Sequence, residues 1–227
     1  MLLRSLLLGA ALALATAPSA LAATLTHGLD VEFSGATPPA GAATPWVTAT
    51  FDDSFGGPNT VRLTMSTGGL TDQEFMEELY LNFDPALDPT LLSFTAVDNS
   101  ASNPEDGQGD NGIFTGVDSF MSDGDGNYDI LFDFPPSLGA PGDQFMAGET
   151  VIYDLTYISP ITALSFDFFS EEGGGNGTYL AAAQIQGIGP GGTESGWIGV
   201  VPEPTTALML GMGLMALGFR RGRAAAH

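Results

Sequence analysis

Apolar and polar residues alternate with a period of two along short stretches of this chain, and glycine or proline separates most stretches from the next. Val61, Leu63 and Met65 alternate with Arg62 and Thr64, and Leu79, Leu81 and Phe83 with Tyr80 and Asn82. Ile130, Phe132 and Phe134 flank the polar Asp133; Val151, Tyr153, Leu155 and Tyr157 alternate with Asp154 and Thr156; Leu164, Phe166 and Phe168 alternate with Ser165 and Asp167. Such a period sends one set of side chains to a core and the other to water, as in a half-buried strand. Further strands are predicted over residues 24–33, 46–51, 91–97, 113–120 and 178–185. About ten strands at near-even spacing predict an all-β chain: one antiparallel β-sandwich of jelly-roll type. Residues 71–79 are the exception, because Thr71-Asp72-Gln73-Glu74 has the spacing of a helical capping box. Residues 187–192 read as a loop.

The pattern changes at both ends. Arg4, an apolar run over 6–17 and the small-x-small triplet Ala20-Leu21-Ala22 make residues 1–22 a secretory signal peptide, with the mature chain starting at Ala23. At the other end Pro202-Glu203-Pro204 precedes an uncharged run over 205–219, then Arg220, Arg221 and Arg223. As a helix the run rises about 22 Å, short of the ~30 Å hydrocarbon core. The arginines stop it on the cytoplasmic side and leave the body outside. A marginal span behind a motif has the logic of a signal that holds a chain in the membrane until it is cut. The divisions expected are therefore a signal peptide (1–22), a β-sandwich domain (23–198), and a flexible tether with a sorting segment (199–227).

This end, with Val201-Pro202-Glu203-Pro204, a glycine-rich apolar span and an Arg-Arg finish, resembles the PEP-CTERM sorting domain of Gram-negative bacteria. The resemblance implies transient anchorage in the inner membrane through 205–219 and recognition by an exosortase. It also implies delivery to the cell surface or extracellular polysaccharide. More loosely, Leu81-Asn82-Phe83-Asp84-Pro85 followed by 91–97 resembles the strand-turn-strand of cohesin-like adhesion sandwiches.

Charge narrows the partners. All 27 Asp and Glu lie between residues 23 and 204, where Arg62 is the sole basic residue, so the body carries about −26. Phosphate backbones would be repelled, which excludes nucleic acid, whereas divalent cations would be attracted. Cysteine is absent, which removes disulfides, thiol catalysis and thiolate metal sites. His27 and His227 are the only histidines, and no G-x-S-x-G, H-E-x-x-H or P-loop occurs. No catalytic residues are assigned, and the body is not expected to be an enzyme.

Two constellations carry candidate chemistry. Asp123, Asp125, Asn127 and Asp129 place oxygens at every second position of 123–129, the donor type and density that Ca²⁺ takes. Tyr128 stands where an EF-hand needs glycine and Phe134 where it needs its bidentate Glu, so the site would be a sandwich-loop one, completed by Asp106, Asp110 or Asn111. A plain Gly-Asp-Asn turn explains the same residues. Trp46, Tyr128, Tyr179 and Trp197 could form a sugar-stacking platform, against the alternative of core packing. The adjacent acids Asp52-Asp53, Glu77-Glu78 and Glu171-Glu172 are poor glycosidase pairs, because neighbours on a strand face opposite ways. The expected role is structural or adhesive in a biofilm or exopolysaccharide; the alternative is a carbohydrate-binding module, and a secreted glycoside hydrolase ranks behind both.

Overall fold

A computed structural model describes residues 22–38, 45–104, 112–136, 144–175 and 177–201. The signal peptide core, the sorting helix and Asp106, Asp110 and Asn111 lie outside the described residues. The described chain folds as two antiparallel sheets. Sheet one joins β1 (Thr24–Leu29), β3 (Val47–Asp52), β4 (Thr60–Ser66), β10 (Thr150–Thr156) and β6 (Ser93–Asp98), in that order. Sheet two runs β2 (Val31–Gly35), β12 (Glu194–Gly199), β11 (Ala181–Ile188), β5 (Phe75–Leu81), β8 (Asn127–Asp133) and β7 (Gly112–Met121), with β9 (Phe145–Met146) pairing on β5.

The alternating residues meet between the sheets. Val61, Leu63 and Met65 of β4 and Val151, Tyr153 and Leu155 of β10 are buried against Leu79 and Leu81 of β5 and Ile130 and Phe132 of β8. Phe132 sits edge-on to Phe94 and Tyr153 at ring separations of 5.6 Å. Each such side chain removes apolar surface worth about 1.5–3 kcal/mol from water. On sheet one the polar alternates face out: Arg62 forks both oxygens of Asp154 at 2.8 and 3.0 Å and stacks over Phe55. The two side chains keep about a quarter of their surface in solvent (25% and 23%), so screening leaves the salt bridge a modest contribution.

Several predicted elements differ. Residues 24–33 are not one strand, because the chain leaves sheet one at Asp30 and enters sheet two as β2. Residues 164–168 are not a strand. Residues Ala163–Phe166 form a 3-10 turn in which the Ser165 hydroxyl accepts the Thr162 N–H at 3.1 Å. Phe166 stacks on Phe51 at 4.4 Å, but Leu164 is 57% exposed, so the turn buries one member of the predicted alternation and turns another to solvent. No helix forms over 71–79. Glu74 does accept the Thr71 N–H at 2.9 Å, as half a capping box would, and β5 then begins at Phe75. The loop at 187–192 starts later than expected, since β11 runs to Ile188.

Candidate functional site

The loops and strand ends where β5 and β12 finish and β8 and β11 begin hold most of the residues singled out above. Asn82, just past β5, is buried; its amide donates to the carbonyls of Tyr179 and Leu180 at 3.1 and 3.0 Å. Asp129 is buried on β8 opposite an irregularity in β7, where pairing skips from Thr115 to Phe120. That skip leaves backbone donors of β7 without ladder partners, and the carboxylate takes one of them, Asp118 N–H at 3.0 Å, together with Phe83 N–H just past β5 at 2.9 Å. Burial pushes the Asp129 carboxyl up; the two N–H donors act against it.

The other calcium candidates are also engaged by the fold. Asp123 adopts φ of 47° in the turn between β7 and β8 and accepts the Ser34 hydroxyl of β2. Since β2 and β7 are opposite edges of sheet two, this contact brings the tip of the β7–β8 hairpin back over the sheet. Asp125 is 2% exposed; its N–H donates to Ser122 O at 2.7 Å, and the Ser122 hydroxyl donates to its carbonyl at 2.7 Å. Asn127 gives its side-chain amide to Glu172 O at 3.3 Å and exchanges backbone bonds with Glu171. Among the described residues no three His, Asp or Glu side chains are grouped as metal ligands.

The aromatic candidates divide. Trp46, at the start of β3, belongs to the core between the sheets, and its indole N–H has no partner among the described residues. Tyr128, Tyr179 and Trp197 gather instead on the far face of sheet two with Phe33 and Tyr80. Tyr179 stacks on Phe33 at 4.5 Å, Trp197 lies 6.4 Å from Phe33 and 5.7 Å from Tyr80, and Tyr80 lies 5.5 Å from Tyr128. Gly199 admits Tyr179, whose ring would come within 2.8 Å of any added Cβ. Tyr128 is wholly buried, and burial pushes its phenol up to about 12; Tyr80 is 4% exposed and donates to Glu78 at 2.8 Å. Of this row Phe33 and Trp197 keep partial exposure.

The acid pairs serve different neighbours. Asp53 accepts Ala23 N–H at 2.6 Å and Ala163 N–H at 3.1 Å, while Asp52 accepts Ser54 N–H at 2.8 Å. Glu77 takes the Gln186 amide at 2.6 Å. His27 is 2% exposed, and its ring is 3.0 Å from Phe166 O as the donating N–H; burial lowers its pKa. Two open grooves stand beside these groups. One of about 190 Å³ has Phe83, Pro85 and Phe169 facing Asp118, Asp129 and Glu171. Another of about 490 Å³ has Asp72, Glu74 and Glu194 beside Pro190. Sequence reasoning missed the roles of Asn82 and Asp129 as backbone caps. The signal for Asn82 was an amide at a strand's end, too short a cue to place.

β12 leads out of this end. It lies between β2 and β11, and the following Val200 is 8% exposed, donates to Ala181 O at 3.0 Å and accepts from Leu180 N at 3.2 Å. Val201 is half-exposed and Pro202 follows. Residues 200–223 match the PEP-CTERM protein-sorting motif. The chain carries a PEP-CTERM signal. It is thus an exported protein of the Gram-negative sorting route, held at the membrane in transit and processed by an exosortase. The PEP-CTERM match and the folded body overlap at Val200, so the flexible tether expected from 199 onward is corrected: Gly199 is β-strand and Val200 is core. No curated protein and no solved structure matches the chain significantly.

Proposed function

We propose that this chain is a non-catalytic cell-surface or extracellular-matrix protein, whose acidic sandwich plays a structural or adhesive part in a biofilm or exopolysaccharide. The observation that carries the reading is where the polar groups go. Asp53, Asp123, Asp129 and His27 each hold a piece of the fold, and the sorting motif follows directly on a core strand. A body built this way is a solvated acidic module set at an address. The test is fractionation of cells making the full chain. The reading expects the processed protein with the surface or matrix polysaccharide, and Glu203→Ala in the membrane fraction unprocessed. Release of that variant at the normal rate, or recovery of the processed protein free in the medium, overturns the reading.

Carbohydrate binding is the second reading, and the partly exposed pair Phe33 and Trp197 supports it. Titration of the cells' own exopolysaccharide into the protein would give saturable binding, lost in Trp197→Ala at unchanged melting temperature. Binding that survives in this variant removes the pair from the site.

A further inference from the structure

The mature N-terminus has a partner waiting in the fold. Ala23 is half-buried and packs on the core, while Ala22 is exposed. In the uncut chain the backbone N–H of Ala23 donates to Asp53 Oδ1 at 2.6 Å, and the Ala23 carbonyl accepts Asp53 N–H at 3.2 Å. The second oxygen of Asp53 accepts the N–H of the buried Ala163, at the head of the turn that carries Phe166. Asp53 therefore joins three segments that are far apart in sequence.

We infer that Asp53 is the docking site of the α-ammonium group freed when the signal peptide is removed at the Ala22–Ala23 bond. This inference rests on the export reading. Hydrolysis of that bond adds water across it: Ala22 keeps a carboxylate and Ala23 becomes a primary amine, which takes up a proton at neutral pH. The same nitrogen that donated as a neutral amide then donates as a cation to the same carboxylate, and a charge-assisted bond replaces a neutral one. The position is specific. Cutting one residue earlier leaves the charge on residue 22, about 3.8 Å farther along the chain and in solvent, with a plain amide still facing Asp53. Apart from Arg62 the body has no Lys or Arg, so with His27 neutral the new ammonium doubles its positive charges. Its contact falls between β1, the end of β3 and the 3-10 turn, which cutting would tighten together.

The experiment compares chains beginning at Ala23 and at Ala22, both running through His227 in mild detergent, each also as Asp53→Asn. The Ala23 chain is expected to melt about 2–4 °C above the Ala22 chain, and the two Asp53→Asn chains to melt together. Acetylation of the α-amine should bring the Ala23 chain down to the Ala22 value. Equal melting of the two Asp53 chains, or a gap that persists in Asp53→Asn, overturns the proposal. N-terminal sequencing of the exported protein keeps the two claims apart: a start other than Ala23 fails the cleavage site, whatever the melts give.

Discussion

The two apolar clusters of this protein teach different lessons. The large one lies between the sheets and is built from strict alternates of both, mostly aliphatic side chains and phenylalanine with no polar end to satisfy. The small one, centred on Tyr80, Tyr128 and Ala182, lies on the face of sheet two that alternation assigns to water. There the hairpin tip returns to β2 through Asp123 and Ser34, the Tyr80 hydroxyl meets Glu78, and the Tyr128 hydroxyl is buried beside Ser122 and Ser170. The first cluster defines the sandwich, and the second covers part of the outer face of sheet two.

Substitutions should separate the two. Phe132→Ala opens a cavity where three rings converge and should cost about 3–5 kcal/mol by denaturant unfolding, enough to deplete the folded chain. Tyr80→Ala removes a ring from the small cluster and should cost less, about 2 kcal/mol, with the m-value unchanged. A Tyr80→Ala cost equal to that of Phe132→Ala would erase the distinction. Acidity probes the polar rims. Burial is the largest cause pushing up the carboxyls of Asp129, Glu74, Glu78 and Asp118. Their folded states take protons more readily than the unfolded chain, so their effect on stability improves as pH falls through the raised values toward about 4. His27 acts oppositely: its pKa is lowered by burial, so its contribution is complete above about 6.5 and is lost as pH falls below that. The His27→Gln chain should therefore lose less melting temperature than the parent chain between pH 7 and pH 5. Parallel pH profiles for the two chains would contradict the assignment. The smallest effect expected is that of Ca²⁺: after chelation, millimolar calcium should leave the melt unchanged. A shift of several degrees that is lost in Asp125→Ala would instead establish a site on the hairpin tip.

The strands were legible wherever one face meets the core, because a period of two leaves a direct trace in Val61–Met65 or Val151–Leu155 positions. The wiring was not legible. Nothing local says that the chain changes sheet at Asp30, or that β12 inserts between β2 and β11. Tyr80 and Asn82 read as solvent-facing alternates, yet both are buried, since the cover over them comes from residues 33, 128, 179 and 197, distant in sequence. The oxygen spacing of 123–129 was plain, but where each oxygen points depends on Ser34, Phe83 and Glu172, which no window around the loop contains. The sorting signal was legible in full because its information is linear: a motif, a span and a charge.

β12 has a mechanical consequence. Its C-terminal end is where the sorting segment pulls, and it is an interior strand, hydrogen-bonded to β2 and to β11. Tension applied along the axis of β12 would load both ladders in shear, so many bonds would have to fail at once. An edge strand loaded the same way would set one ladder against the pull in place of two. Val201 alone lies between the pinned Val200 and the motif, so the load reaches the sheet without a compliant spacer to absorb it.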